Sequence, residues 1–160
     1  MNKLIFLSLI LINAAASYGK TPRPIKKELS YYPPLSVYER LYYFEDGVTF
    51  EFHGKNEIRA SGDGKVSYIK KITDNRTCII IEHGDNNQTL ILGPLDYIVK
   101  EGDNVSDTQV IGYTNPKLVK NPKDSSIFFE ILKNYKAQDT FLFLDKSTLL
   151  KNISNEHYYH

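Results

Sequence analysis

Short runs of β-branched and aromatic residues, cut at regular intervals by Gly, Asp and Asn, fill the middle of the chain. Val48-Thr49-Phe50-Glu51-Phe52-His53 alternates apolar and polar positions, which puts Phe50 and Phe52 on one face of a strand. Glu57 to Ala60 predicts a short strand. Gly64 to Ile72 predicts a longer one that meets water through Lys65, Ser67 and Lys70. Cys78 to Glu82 is almost continuously apolar, the pattern of a central strand. The turn cluster His83-Gly84-Asp85-Asn86-Asn87 then returns the chain through Gln88 to Leu92 as a hairpin. Gly93-Pro94 breaks the ladder. Tyr97 to Lys100 and Gln109 to Tyr113 flank a turn at Glu101-Gly102-Asp103-Asn104. After a polar, Pro-containing loop from Asn115 to Ser125, Ser126 to Leu132 is the last strong strand, built on Ile127-Phe128-Phe129. The sum is an all-β domain, rich in antiparallel sheet, made of short strands and tight turns.

The flanks read differently. Residues 20–44 form a Pro- and Tyr-rich linker and packing segment. Lys20 to Lys27 is basic and extended, whereas Tyr31 to Phe44 carries too many aromatics to leave in water, at about 25 cal/mol per Å². That second part is expected to pack on the β core or to cover a groove. Ser36 to Tyr43 matches a short helix capped by Ser36, with Glu39 in capping-box position. At the other end, Phe141 to Leu144 is a short apolar segment. Asp145 is placed to cap a C-terminal helix running through Asn152, and residues 145–160 are assigned to that helix and a frayed tail.

Composition adds an address and removes partners. Residues 1–19 read as a secretory signal peptide: Lys3, an apolar run from Leu4 to Ile12, and the small residues Ala14-Ala15-Ala16. The run is about half the roughly 20 residues that a spanning helix needs, so no stable membrane span is expected after cleavage. The expected location is periplasmic or secreted. The chain has 20 Lys and Arg against 19 Asp and Glu, a balance that gives no reason to expect nucleic acid. Cys78 is the single cysteine, which excludes an internal disulfide, and its strand setting reads as a small buried hydrophobe rather than a nucleophile.

Five phrases in fixed order resemble the LytM-type, or lysostaphin-like, zinc metallopeptidases that cut bacterial cell-wall peptides. Gly47 sits in the turn of an opening His-x-Gly-x-Asp phrase. Ser61-Gly62-Asp63-Gly64-Lys65-Val66 matches a Gly-turn-Val phrase, and Ile80-Ile81-Glu82-His83-Gly84 an acidic-His-Gly strand end. Val99 to Gly112, with Gly102, Val105, Gln109 and Ile111, matches a third glycine phrase. Ser126-Ile127-Phe128-Phe129-Glu130 falls on the closing His-Leu-His-Phe-Glu. The resemblance covers Glu45 to about Leu144 and implies a LytM-like, lysostaphin-like β-sheet domain over residues 45–144, which the short C-terminal helix read from Asp145 would follow.

The phrases that carry chemistry depart from the family. The positions the resemblance assigns to zinc ligands and catalytic histidine hold Glu45, Thr49, Ser126 and Phe128, and the Tyr-x-His-Leu phrase falls on Leu92-Gly93-Pro94-Leu95. A catalytic zinc takes about three protein ligands and one open position. Ser and Phe supply none, so neither enzyme activity nor a cofactor is expected. A rebuilt site from His53, His83 and Glu45 is the enzyme alternative, a divergent peptidoglycan metalloendopeptidase. The main expectation, taken from the resemblance, is an inactive domain that regulates a cell-wall hydrolase such as an amidase, or binds peptidoglycan. Its partner surface would be a groove at Gly93, Pro94, Ser126 and Phe128, floored also by Thr49 and walled by Asn115 to Ser125. The remaining alternative is a structural subunit of an envelope complex.

Overall fold

The computed structural model describes residues 30–149. The expected signal peptide, the basic part of the linker before Ser30, and the helix and tail beyond Leu149 lie outside those residues. Among the described residues, eleven strands run in chain order: β1 Arg40–Tyr43, β2 Val48–Glu51, β3 Glu57–Arg59, β4 Gly64–Thr73, β5 Arg76–Glu82, β6 Asn87–Gly93, β7 Leu95–Tyr97, β8 Asn104–Val105, β9 Val110–Thr114, β10 Ser126–Lys133 and β11 Lys136–Ala137. Two one-turn helices follow, α1 Thr140–Phe143 and α2 Lys146–Leu149.

The strands build two antiparallel sheets. The larger has the order β1-β2-β10-β6-β5-β4-β8, with β11 added to β10. The smaller has the order β3-β9-β7. Gly93-Pro94 is where the chain passes from one sheet to the other, because Pro has no N–H to continue the β6 ladder. β7 therefore begins at Leu95, earlier than the expected Tyr97 to Lys100, and pairs Leu95 with Thr114 and Tyr97 with Gly112. Ile98 extends the ladder by donating its N–H to the Ile111 carbonyl at 2.9 Å.

Alternation does most of the burying. β10 shows one fully covered side, Ile127, Phe129 and Ile131, and one half-covered side, Ser126, Phe128 and Glu130. The covered side joins Val48 and Phe50 of β2, Ile91 of β6, and Ile79 and Ile81 of β5. Ile58, Leu95 and Ile111 of the small sheet belong to the same core. β5, β6 and β10 are central, as their apolar runs predict.

The expected helix from Ser36 to Tyr43 does not form. Arg40–Tyr43 is an edge strand, with Leu41 opposite Phe50 and Tyr43 opposite Val48. Glu39 donates its N–H to the Glu51 carbonyl at 2.7 Å instead of entering a capping box. Pairing with β2 outweighs a local capping signal worth about 1 kcal/mol, and Leu41-Tyr42-Tyr43 favours the pleat. Phe44 and Gly47 exchange backbone hydrogen bonds, leaving Glu45-Asp46 as the tip of a two-residue hairpin turn.

Tyr31 and Leu35 are buried core residues, and Tyr38 meets Phe50 edge-on at 5.3 Å. Tyr31 also donates its N–H to the Phe143 carbonyl and accepts from the Asp145 N–H, both at 2.8 Å. The aromatic segment thus packs on the core side and lengthens the sheet edge. Tyr31, Leu35 and Tyr38 lie on the core side, whereas in β1 Arg40 and Tyr42 alternate onto the face that carries Phe128. At α2, the Asp145 carboxylate accepts from the Ser147 hydroxyl at 2.6 Å and from its N–H at 2.9 Å, the cap that the sequence predicts. Those bonds hold the Asp145 carboxyl below its ordinary pKa.

Candidate functional site

The half-exposed face of the large sheet is the place to look for chemistry. Cross-strand partners share a face, so the register defines a row: Tyr42, Thr49, Phe128, Leu92, Cys78 and Lys70, from β1 to β4. Ser126 lies two residues before Phe128 and opposite Glu51. The Glu51 carboxylate accepts from the Tyr42 hydroxyl at 2.9 Å and faces Arg40 at 3.8 Å. Two residues beyond Phe128, Glu130 stands opposite Leu90, itself opposite Ile80. Burial raises the Glu130 carboxyl pKa, and the nearby Asp46 charge raises it further. Burial also raises the Cys78 thiol, with Glu130 adding to the shift, so Cys78 is a poor nucleophile here.

Phe128 and Thr49 are direct cross-strand neighbours. The Phe128 ring lies over Gly47. A Cβ added to Gly47 would come within 2.5 Å of two ring carbons and 2.8 Å of the Phe129 carbonyl oxygen. Gly47 is not in a left-handed conformation. Its hydrogen is required by the ring above it rather than by the turn.

Glu45, the remaining group at the assigned positions able to coordinate, is exposed at the hairpin tip. Thr49, Ser126 and Phe128 are half-buried on the sheet. This donor set does not fit a catalytic zinc: one carboxylate, two hydroxyls and a phenyl ring fall short of three good ligands. Among the described residues, no three His, Cys, Asp or Glu side chains are grouped so as to hold a metal ion. Gly93 and Pro94 are buried, and the Gly93 Cα faces Ile127, on the side of the sheet away from Phe128. They shape the strand crossing from behind.

The two described histidines do not converge. His53 is exposed past the end of β2. His83 stands between sequence phrases that the chain brings together, Gly62-Asp63-Gly64 and Thr89. Its Nδ1 is 2.8 Å from the Asp63 carbonyl oxygen, which can only accept, so Nδ1 carries the proton. Its Nε2, 2.8 Å from the Thr89 hydroxyl, then accepts. The ring packs on Tyr31 at 5.0 Å, and burial lowers the His83 pKa against smaller opposing effects of Asp63 and Asp107. Both nitrogens are engaged, and burial favours the neutral imidazole. His83 is a structural clamp between β4, β6 and the Tyr31 segment.

A concave surface lies elsewhere. A cleft of about 600 Å³ opens between the β1–β2 hairpin and the β11–α1 connection. Tyr43, Phe44 and Glu45 line one side, and Ala137, Gln138, Asp139 and Phe141 the other. Tyr43 and Phe141 meet edge-on at 4.5 Å. Phe44 and Leu142 remain 56% and 66% exposed, large values for apolar side chains. Of these residues, the sequence singled out Glu45 alone as a site position. Nothing local links residues 43–45 to residues 137–141; only the pairing of β2 and β11 with the same strand, β10, brings them together.

Comparison with known proteins agrees with this architecture. The family model described as Peptidase family M23 matches residues 43–140. Stage II sporulation protein Q of Bacillus subtilis (strain 168) is 29% identical over 114 residues, which is 70% of this chain and 40% of that protein. The chain therefore spans less than half the length of this curated relative. A solved structure described as the SpoIIQ-SpoIIIAH pore forming complex superposes with a TM-score of 0.60 at 20% identity, covering 81% of this chain and all of that one. Lysostaphin from Staphylococcus simulans gives 0.57 at 23% identity over 69% of this chain and 50% of its own. An M23 peptidase structure from Pseudomonas aeruginosa gives 0.62 at 19% identity, with coverages of 89% and 62%. Below 25% identity these likenesses show the fold.

Proposed function

Because the chain belongs to peptidase family M23 while Thr49 and Phe128 face each other where the resemblance places ligands, we propose that it is a non-catalytic M23 domain serving as a subunit of an envelope protein assembly. The observation that carries this reading is the pairing of an M23 fold with similarity to stage II sporulation protein Q, whose structures are described as complexes with SpoIIIAH. The domain supplies a rigid sandwich of two sheets, and its work is to hold another protein. The reading includes location on the outer side of a membrane, in keeping with the apolar leader in the sequence. No helix among the described residues is long and apolar enough to cross a membrane.

Two physical points support loss of catalysis. An M23 reaction needs a Lewis acid to polarise the scissile carbonyl and activate water. At a position that the resemblance assigns to a donor, Phe128 offers only a ring that lies over Gly47 beside Leu92. Of the described histidines, His83 has both ring nitrogens taken up by Asp63 and Thr89, so it is not available as a general acid or base.

The test is a binding comparison on the purified full chain. Titration against the SpoIIIAH-like protein of the same cell should give a saturable complex. Titration against an amidase and against purified sacculi should give weaker or no binding. Saturable activation of an amidase, with no complex to the SpoIIIAH-like protein, would replace the subunit reading with hydrolase regulation. Elemental analysis should find far less than one zinc per chain. Stoichiometric zinc together with cleavage of cell-wall peptides would sink both readings in favour of a divergent peptidase.

A further inference from the structure

The cleft between the β1–β2 hairpin and the β11–α1 connection has a chemistry of its own. Its charged lining residues are Glu45 and Asp139, both carboxylates and both exposed. Neither is ion-paired among the described residues, whose two salt bridges are Arg40 with Glu51 and Arg59 with Glu57. The aromatic side chains Tyr43, Phe44 and Phe141 line the same cleft. Gln138 donates its side-chain N–H groups to the Lys136 and Ala137 carbonyls, at 2.9 and 3.0 Å, which holds the β11 end of the cleft in shape.

A surface that leaves Phe44 more than half exposed in a cleft with two unpaired carboxylates is not arranged for the stability of the free chain. Aromatic faces attract cations, and carboxylates in a concave site attract them further. We propose that this cleft docks a partner protein through a segment that carries Lys or Arg beside an apolar anchor side chain. The proposal rests on the subunit reading for its partner class and adds the place and the chemistry of contact. Charge complementarity selects this occupant. Cell-wall stem peptides bear carboxylates of their own, which Glu45 and Asp139 would repel.

The cleft is separate from the row that contains Thr49 and Phe128. None of the residues of that row lines it. The two sites meet only through the hairpin: Glu45 reaches the cleft, and Gly47, two residues on, supports the Phe128 ring.

The experiment uses the full chain and a synthetic probe, the dye-labelled pentapeptide Lys-Phe-Lys-Leu-Lys, with Glu-Phe-Glu-Leu-Glu as its control. Fluorescence anisotropy should show binding of the basic peptide that weakens with added salt, and none of the acidic one. The Glu45→Gln/Asp139→Asn variant should keep its melting temperature, since both side chains are exposed, and should bind about tenfold more weakly or worse. Phe44→Ser should also weaken binding while leaving the melt unchanged. Unchanged affinity in both variants would overturn the assignment of the cleft.

Two rival occupants have their own readouts. If muropeptides compete the probe away more tightly than a basic peptide does, the cleft belongs to cell wall and the proposal is wrong. The chain's own basic stretch, with Arg23, Lys26 and Lys27, is the other rival. Tighter probe binding by the Arg23→Gln/Lys26→Gln/Lys27→Gln variant would assign the cleft to that stretch instead. A SpoIIIAH-like complex that forms equally well with Glu45→Gln/Asp139→Asn would reject the cleft and leave the subunit reading standing.

Discussion

Ile127, Phe129 and Ile131 are buried on one side of β10, whereas Ser126, Phe128 and Glu130 on its other side stay half-exposed. Both sides share one backbone and the same neighbouring strands, β2 and β6. The covered side packs against residues from both sheets and from the Tyr31 segment. On the open side, among the described residues, Phe128 has Thr49 and Leu92 as its cross-strand neighbours and a glycine beneath the ring. Covered positions are fixed by packing, where a lost methylene leaves a void. Open positions are free to change chemistry without loss of the fold. In this chain the covered side of β10 keeps Ile127 and Phe129, while the assigned ligand positions on the open side hold Thr49, Ser126 and Phe128.

The sharpest way to break this contrast is truncation of the two adjacent phenylalanines. Phe129→Ala removes a fully buried ring and should cost about 3–5 kcal/mol, much of the roughly 5–15 kcal/mol that keeps a domain folded. Chemical denaturation should show it directly. A midpoint unchanged by Phe129→Ala would mean that β10 is not the core strand described.

Gly47→Ala tests the open face from below. The added methyl meets two Phe128 ring carbons and the Phe129 carbonyl, and the carbonyl belongs to a paired strand and cannot step aside. A loss of about 1–3 kcal/mol is expected. In a Phe128→Ala background the same substitution should cost less, because half of the clash is gone; full additivity would show that the ring does not rest on Gly47.

Phe128→Ala alone should cost about 1–2 kcal/mol, less than Phe129→Ala, since the ring is half-buried and loses less apolar contact. Equal melting temperatures for the two variants would mean that residues outside 30–149 cover this face. Binding to an assembly partner through the cleft should be unaffected.

The smallest effects are in pH dependence, and the two sides should have opposite signs. His83, clamped on the core side, has a folded pKa below its ordinary value of about 6.5. The unfolded chain therefore takes up a proton first as pH falls, and the contribution of His83 is complete above about 6.5 and lost as pH drops through the folded value. Glu130, on the open face, has a folded pKa above its ordinary value of about 4.3. The unfolded chain loses the proton first, so stability falls as pH rises from about 4.3 through the folded value and is level above it. His83→Asn should flatten the melting temperature profile at the upper step and Glu130→Gln at the lower one. A profile unchanged by either variant would remove that group from the account.

The all-β class, the central place of β5 and β10, the ladder break at Gly93-Pro94 and the partition of Ser126 and Phe128 from Ile127 and Phe129 follow from period-two alternation and turn chemistry. A strand's side-chain direction is local information, and so are the donor inventories of Phe and Ser: the sequence by itself determined that the assigned ligand positions hold too few donors for zinc. It did not determine that Arg40–Tyr43 is a strand, because a capping signal at Ser36 and Glu39 is also local and gave way to pairing with β2. Nor could it show that the imidazole of His83 bridges Asp63 and Thr89, that Gly47 lies under a ring 81 positions later, or that Glu45 and Asp139 line one cleft. Those juxtapositions depend on which strands become neighbours across long stretches of chain, and the free energy that selects them is the burial of the whole core rather than the preference of any segment.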